Sequence, residues 1–417
     1  MVSLRKNIFY SSILTAANYV FPLLTYPYVS RVLGVSNIGI CNFVDSLINY
    51  FSIVSILGIG TVGIREISRV KHDKKHLEST FSKIFTIHTI STTIALAALI
   101  IAIYSIPKLY ENRDLMWIGA LKLVSSYLLI DWLYKGLEEF KYVTDRTIFI
   151  KCLYVISVFI FIKTPQDTGL YYLLLSLTNT ANAIVNILHG KRFVNFRFSI
   201  SGSHTLLKAI IILGIYNLLT SMYTTFNVVF LGFACNDTEV GYYVTSHKIY
   251  KIILSLFTAA TGVMMPRLSS LIAENRHTEF RILLKRSFLV LWTIFLPISI
   301  LIELFAPEII NLIAGAGYEG AILPLRIIAP LLLIIGSEQI IITQGLMPLK
   351  KDKAILTNSV AGAAVGVTLN ILLVPEHGAI GSAIAWVCSE CTVLASGSYF
   401  FIKAMNGIRH VNHKETI

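Results

Sequence analysis

About twelve apolar runs, each near the length needed to cross a bilayer, divide this chain and leave only short polar segments between them: 8–30, 39–64, 81–106, 115–134, 148–162, 170–188, 207–232, 242–265, 287–306, 321–346, 354–374 and 380–403. A hydrocarbon core about 30 Å thick takes roughly 20 helical residues. Lipid offers no partner to an open N–H or C=O, so such runs can persist there only as helices or as closed barrels. Runs of this length without strand-like alternation select helices. With 55% apolar and only 14% charged residues, a water-soluble globular fold is excluded. The first run follows MVSLRKN without a small-residue cleavage site, so it reads as a retained helix, not a removed signal.

One stretch is written twice. Leu33 to Ser68 reads LGVSNIGICNFVDSLINYFSIVSILGIGTVGIREIS, and Leu231 to Ser269 reads LGFACNDTEVGYYVTSHKIYKIILSLFTAATGVMMPRLS. In both copies an apolar helix ends at Leu-Gly, a short polar turn follows, and a second glycine, Gly39 or Gly241, opens another apolar helix. Each copy closes with a basic residue near its final serine. Internal repetition in a hydrophobic chain is a mark of secondary transporters. The expected fold is an all-α integral membrane protein of about 12 transmembrane helices. They form two pseudo-symmetric six-helix bundles, 1–200 and 201–417, around a central cleft.

The formal charge of +12 is topological. One alternating set of polar segments holds 26 Lys and Arg, against 4 (Arg31, Lys108, Arg113, Lys163) on the other side. By the positive-inside rule both termini are cytoplasmic, and no nucleic-acid partner is needed to explain the basic balance. The outward segments are too short for an extracytoplasmic catalytic domain, so no enzyme activity is expected. GAGYEG at Gly315 to Gly320 lacks the Lys-Ser/Thr ending of a phosphate loop. No H-E-x-x-H or G-x-S-x-G occurs, and no metal or other cofactor is implied. Cys388 and Cys391 have metal-ligand spacing but sit in an apolar helix beside Trp386 and Val393, which argues against zinc or redox chemistry.

Function must then rest on ionisable residues within the runs, which are costly in hydrocarbon and face protein or water. They are Asp45, Lys122, Lys248, Lys251, Arg326, Glu338 and Glu390, with Arg31 near the outward boundary. Asp45 and Lys248 lie six and seven residues beyond Gly39 and Gly241, so both sit on the order of 10 Å into the membrane. Lys251 shares a helix face with Lys248. Two ammonium groups there favour a hydrated, anion-attracting cavity. Asp45, Glu338 and Glu390 are candidate ion carriers. Competing readings are a structural Asp45–Lys248 clamp between the halves, snorkelling of Arg31 and Arg326, and hydrogen bonding of the two glutamates to neighbouring helices. Asp131 reads as interfacial, and Gly362 to Gly366 as a helix-packing surface.

Several runs together carry a family resemblance: PLLTYPYVSRVLGVSNIG near the N-terminus, DWLYKGLE at Asp131 to Glu138, VGYYVTSHKIYKI from Val240, PRLS at Pro266 and GYEGAILPLRIIAP from Gly317. In order and spacing they resemble the O-antigen flippases, Wzx-type transporters of the multidrug/oligosaccharidyl-lipid/polysaccharide exporter superfamily, over nearly the whole chain. One departure is Lys135, where that pattern commonly has Gln.

The resemblance implies a bacterial inner-membrane protein of polysaccharide and lipopolysaccharide biosynthesis. It would move an undecaprenyl-pyrophosphate-linked repeat unit from the cytoplasmic to the periplasmic leaflet by alternating access. Its substrate would be a lipid-linked oligosaccharide in bilayer lipid, with a polysaccharide polymerase and a chain-length regulator as further partners. The family's cleft is bordered by the first, second, seventh and eighth helices, which places Asp45, Lys248 and Lys251 there by position. Lys122, Arg31 and Arg326 complete the expected cationic set. A multidrug exporter and a peptidoglycan-lipid flippase share the fold and remain alternatives, as does a non-transporting assembly scaffold.

Overall fold

A computed structural model of the chain describes residues 4–199, 204–274 and 276–414. The protein divides into two compact units, Met1–Ser221 and Met222–Ile417. The first contains α1 (Leu4–Leu33), α2 (Val35–Ile56), α3 (Ile59–Val70), α4 (Lys74–Ser105), α5 (Pro107–Glu111), α6 (Arg113–Leu128), α7 (Asp131–Gly136), α8 (Phe140–Phe161), α9 (Thr168–Gly190) and α10 (His204–Thr224) through Ser221. The second contains α11 (Phe226–Ala234), α12 (Asp237–Ala273), α13 (His277–Ile313), α14 (Ile322–Ile328), α15 (Leu331–Gln339), a π-helical segment (Ile340–Leu346) and α16 (Asp352–Lys414).

Taken in chain order, these elements make twelve helical passes among the described residues, and the protein is all-α. Among the described residues six runs qualify as membrane spans on length and hydropathy alone: Val35–Val70, Lys74–Ser105, Arg113–Gly136, His277–Ile313, Glu319–Leu346 and Lys353–Asn406. The last covers two passes, because α16 is two helices joined at Gly378 (φ 52°). The Glu239 carboxylate receives the Ala379 N–H at 2.7 Å, setting a negative charge at the start of the final helix.

The second pass is not the single helix expected over 39–64. Leu57 adopts φ 45°, a region costly for a residue with a branched side chain, and the helix breaks there. The Gly58 N–H donates to the Ile210 carbonyl at 3.1 Å, and the Asn217 side-chain amide donates to the Leu57 carbonyl at 2.9 Å. Helix α10 therefore satisfies the backbone groups freed by the break. Gly58 is needed for that approach, since a Cβ would lie 2.6 Å from the Ile210 oxygen. The repeat copy, α12, runs unbroken.

The core of the first unit gathers where α3, α4 and α7 meet, around Ile59, Val62, Ile67, Phe81 and Trp132. Trp132 stacks on Phe81 with ring centroids 5.4 Å apart. Beside this core Lys71 pairs with Glu138 at 2.6 Å. The Lys71 ammonium holds the Glu138 carboxyl below the ordinary carboxylate range. Farther along α6, Gly119 lets α2 close in, since a Cβ there would meet Ile48 at 2.5 Å.

Candidate functional site

The Gly119–Ile48 contact fixes the register of α2 against α6, and one turn beyond it Lys122 reaches Asp45. The ammonium lies 2.5 Å from Asp45 Oδ1, and the Tyr172 hydroxyl from α9 donates to the same oxygen at 3.3 Å. Both charges sit about midway along their helices. The Lys122 and Asp45 side chains are 19% and 32% exposed, so the pair is shielded yet reachable. Asp45 thus finds a countercharge within its own unit.

In the second unit, Glu338 on α15 and Glu390 on α16 lie within hydrogen-bonding reach of each other. Glu390 is buried and also accepts the Trp386 indole N–H at 2.8 Å. Two carboxyls this close repel when both are charged, which makes the pair a candidate for exchanging an ion. Glu338 Oε2 is enclosed and has no hydrogen-bond partner among the described residues. The Trp386 ring lies 5.2 Å from Tyr250 and 5.0 Å from His247, both on α12. The π-helical segment begins two residues after Glu338, and such segments concentrate at functional positions.

Lys248 and Lys251 follow on the same helix, one turn apart, with Lys248 half-buried and Lys251 exposed. Arg31 is turned back onto its own helix, donating to the Pro27 carbonyl at 2.9 Å. Arg326 donates to the Glu303 carbonyl at 3.0 Å, with the Glu303 carboxylate 4.0 Å away. The expected residues therefore fall into a first-unit pair, a second-unit carboxyl pair with two lysines, and two arginines engaged elsewhere.

Asp131 is more than an interfacial residue. Its Oδ1 accepts from Arg146 at 3.2 Å and from the Asn186 amide at 2.8 Å. Arg146, whose side chain is only 4% exposed, also donates to Asn186 Oδ1. The Tyr134 hydroxyl closes the network on the Asn186 carbonyl at 2.5 Å. Arg146 and Asn186 were not singled out from the sequence. The first reads as one more positive-inside charge, and the second as a polar residue in an apolar run. Gly362 and Gly366 do lie at a helix contact, against Val393 and Ser389. Among the described residues no group of three or more His, Cys, Asp or Glu is arranged to hold a metal.

Two solved structures share this architecture. The inward-closed lipid II flippase MurJ superposes with a TM-score of 0.74 at 14% identity, over 96% of this chain and 89% of that one. An inward-facing multidrug resistance MATE family transporter of the MOP superfamily gives 0.66 at 18% identity, over 94% of this chain and 95% of that one. These likenesses establish the fold of a multi-pass membrane transporter. Within that class the sequence is more specific: the chain belongs to the polysaccharide biosynthesis protein family, whose pattern matches residues 4–272. It is 26% identical over 403 residues to a candidate O-antigen transporter of Escherichia coli (strain K12), covering 94% of this chain and 95% of that protein.

Proposed function

We propose that this protein flips a polyprenyl-pyrophosphate-linked oligosaccharide, an O-antigen or related repeat unit, from the cytoplasmic to the periplasmic leaflet of a bacterial inner membrane. Both termini face the cytoplasm, and no covalent bond is made or broken. The observation that carries this reading is the end-to-end similarity to the Escherichia coli relative within the polysaccharide biosynthesis family. The shared fold alone does not separate flippase from drug exporter. The intramembrane lysines do, because they suit an anionic substrate and disfavour the organic cations that drug exporters carry.

In the mechanism that follows, the two units alternate access about a cleft between them. The sugar and pyrophosphate enter the cleft while the polyprenyl tail stays in lipid. A pyrophosphate cannot cross hydrocarbon unpaired, so Lys122, Lys248 and Lys251 replace water as its partners. Return of the empty carrier is coupled to proton exchange at the Glu338–Glu390 pair, where two carboxyls meet inside the second unit. A polysaccharide polymerase and a chain-length regulator receive the product on the far side.

The test is complementation of a strain lacking its O-antigen flippase. Surface polysaccharide is read together with accumulation of the lipid-linked unit on the cytoplasmic face. Restored surface polymer with loss of accumulation is expected. The paired change Lys248→Ala/Lys251→Ala should abolish the restoration at equal protein abundance. Unchanged polymer in that variant refutes the assignment of the two lysines.

A further inference from the structure

We infer that Asp45 is a built-in stand-in for the substrate's anion: it occupies Lys122 while the carrier is empty and must yield that ammonium to the incoming pyrophosphate. The inference rests on the flippase reading for the identity and approach of the anion, and on the structure for the ion pair and its surroundings. Lys122 carries a full charge partway through a membrane pass, and the carboxylate at 2.5 Å neutralises it. Tyr172, donating to the same Oδ1, aims that oxygen at the ammonium.

Three features mark the pair as displaceable. Both side chains keep measurable exposure, 19% and 32%, unlike the Arg146–Asp131 pair, where the guanidinium is sealed. Lys122 is a flexible ammonium with three donors, able to swing between acceptors, where an arginine fork would be fixed in one geometry. The pair also leaves no net charge behind when empty, so the unloaded carrier avoids the cost of an isolated cation in a low-dielectric site. A pyrophosphate, with more charge and more acceptor oxygens than one carboxylate, outcompetes Asp45 and frees it toward Tyr172.

The inference sets a quantity. A site closed by an internal competitor binds its ligand more weakly by the fraction of time it stands open. A half-buried ion pair that keeps the site closed about nine-tenths of the time weakens apparent affinity roughly tenfold.

The test uses the full-length protein in detergent with farnesyl pyrophosphate as the probe and inorganic pyrophosphate in parallel. Calorimetric Kd values are measured for the wild type, Asp45→Asn, Lys122→Met and the double variant, with complementation scored alongside. Asp45→Asn should bind the prenyl probe roughly tenfold more tightly, and in the Lys122→Met background that gain should vanish. Tyr172→Phe, which withdraws one of Asp45's donors without removing charge, should tighten binding in the same direction by a smaller factor and serves where Asp45→Asn fails to fold. An unchanged or weaker Kd in both variants overturns the inference. So does an equal gain with and without Lys122, which would reveal a general field effect of the carboxylate. Wild type that complements yet binds neither probe sinks this inference and leaves the flippase reading standing; wild type that does neither sinks both.

Discussion

Replacing Arg146 with methionine should destabilise the first unit by about 3–4 kcal/mol, a magnitude that follows from what the guanidinium touches. Its side chain is 4% exposed and pairs with Asp131 at 3.2 Å while also bonding Asn186, which is fully buried. Removing one partner of a buried ion pair typically costs about 3–5 kcal/mol, because the other charge is left without compensation. Here Asp131 is 30% exposed and recovers some hydration, which moves the expectation toward the lower end. Asn186 Oδ1 keeps only the Tyr142 hydroxyl at 3.4 Å. The loss of a good donor at a buried acceptor adds about 1 kcal/mol. Adding Asp131→Asn should bring the cost of the double variant back to about 1–2 kcal/mol, since no charge then remains uncompensated. The assay is equilibrium unfolding in mixed micelles, with Trp132 as the sole remaining tryptophan. Its buried ring on Phe81 reports on this unit, which keeps the transition local where a two-unit protein has no single unfolding free energy. A cost below about 1 kcal/mol for Arg146→Met, or no recovery in the double variant, refutes the account of this network.

Two further changes probe other parts of the molecule. Glu390→Gln removes one carboxyl of the pair proposed to couple transport while keeping an acceptor for Trp386; substrate binding should survive, and the pH dependence of flipping in proteoliposomes should flatten. A retained wild-type pH profile excludes this pair from coupling. Gly58→Val places a side chain against the Ile210 carbonyl and Leu213 and should cost about 1–3 kcal/mol by overpacking, read as a lowered thermal midpoint; an unchanged midpoint means that α10 is not held at the break.

Hydropathy over about twenty residues shows where the apolar helical runs fall, because backbone groups in lipid have to be satisfied within the protein. What escaped a linear reading was set by partners far away in sequence. The break at Leu57–Gly58 depends on Ile210 and Asn217, about 150 residues on, so an apolar run gave no sign of it. Asp45 and Lys248 follow Gly39 and Gly241 by six and seven residues, a spacing that suggests they pair with each other. The register of α2 on α6, set by a glycine contact, brings Lys122 to Asp45. Glu338 and Glu390 were each visible as charges out of place, but their meeting depends on how α15 packs against α16. From the sequence Asp131 reads only as a helix-end residue and Arg146 only as one more positive charge, because the bond between them depends on how α7 and α8 pack.

The interruption of the second pass at Gly58 also gives the molecule a natural spectroscopic address. In an unbroken helix each amide proton is guarded by a carbonyl four residues back and reports only on its own turn. The Gly58 amide is guarded by Ile210, so its exchange with deuterium keeps time with the seating of α10, the helix that runs on toward the second unit. A single proton thereby records whether the connection between distant stretches of chain is engaged.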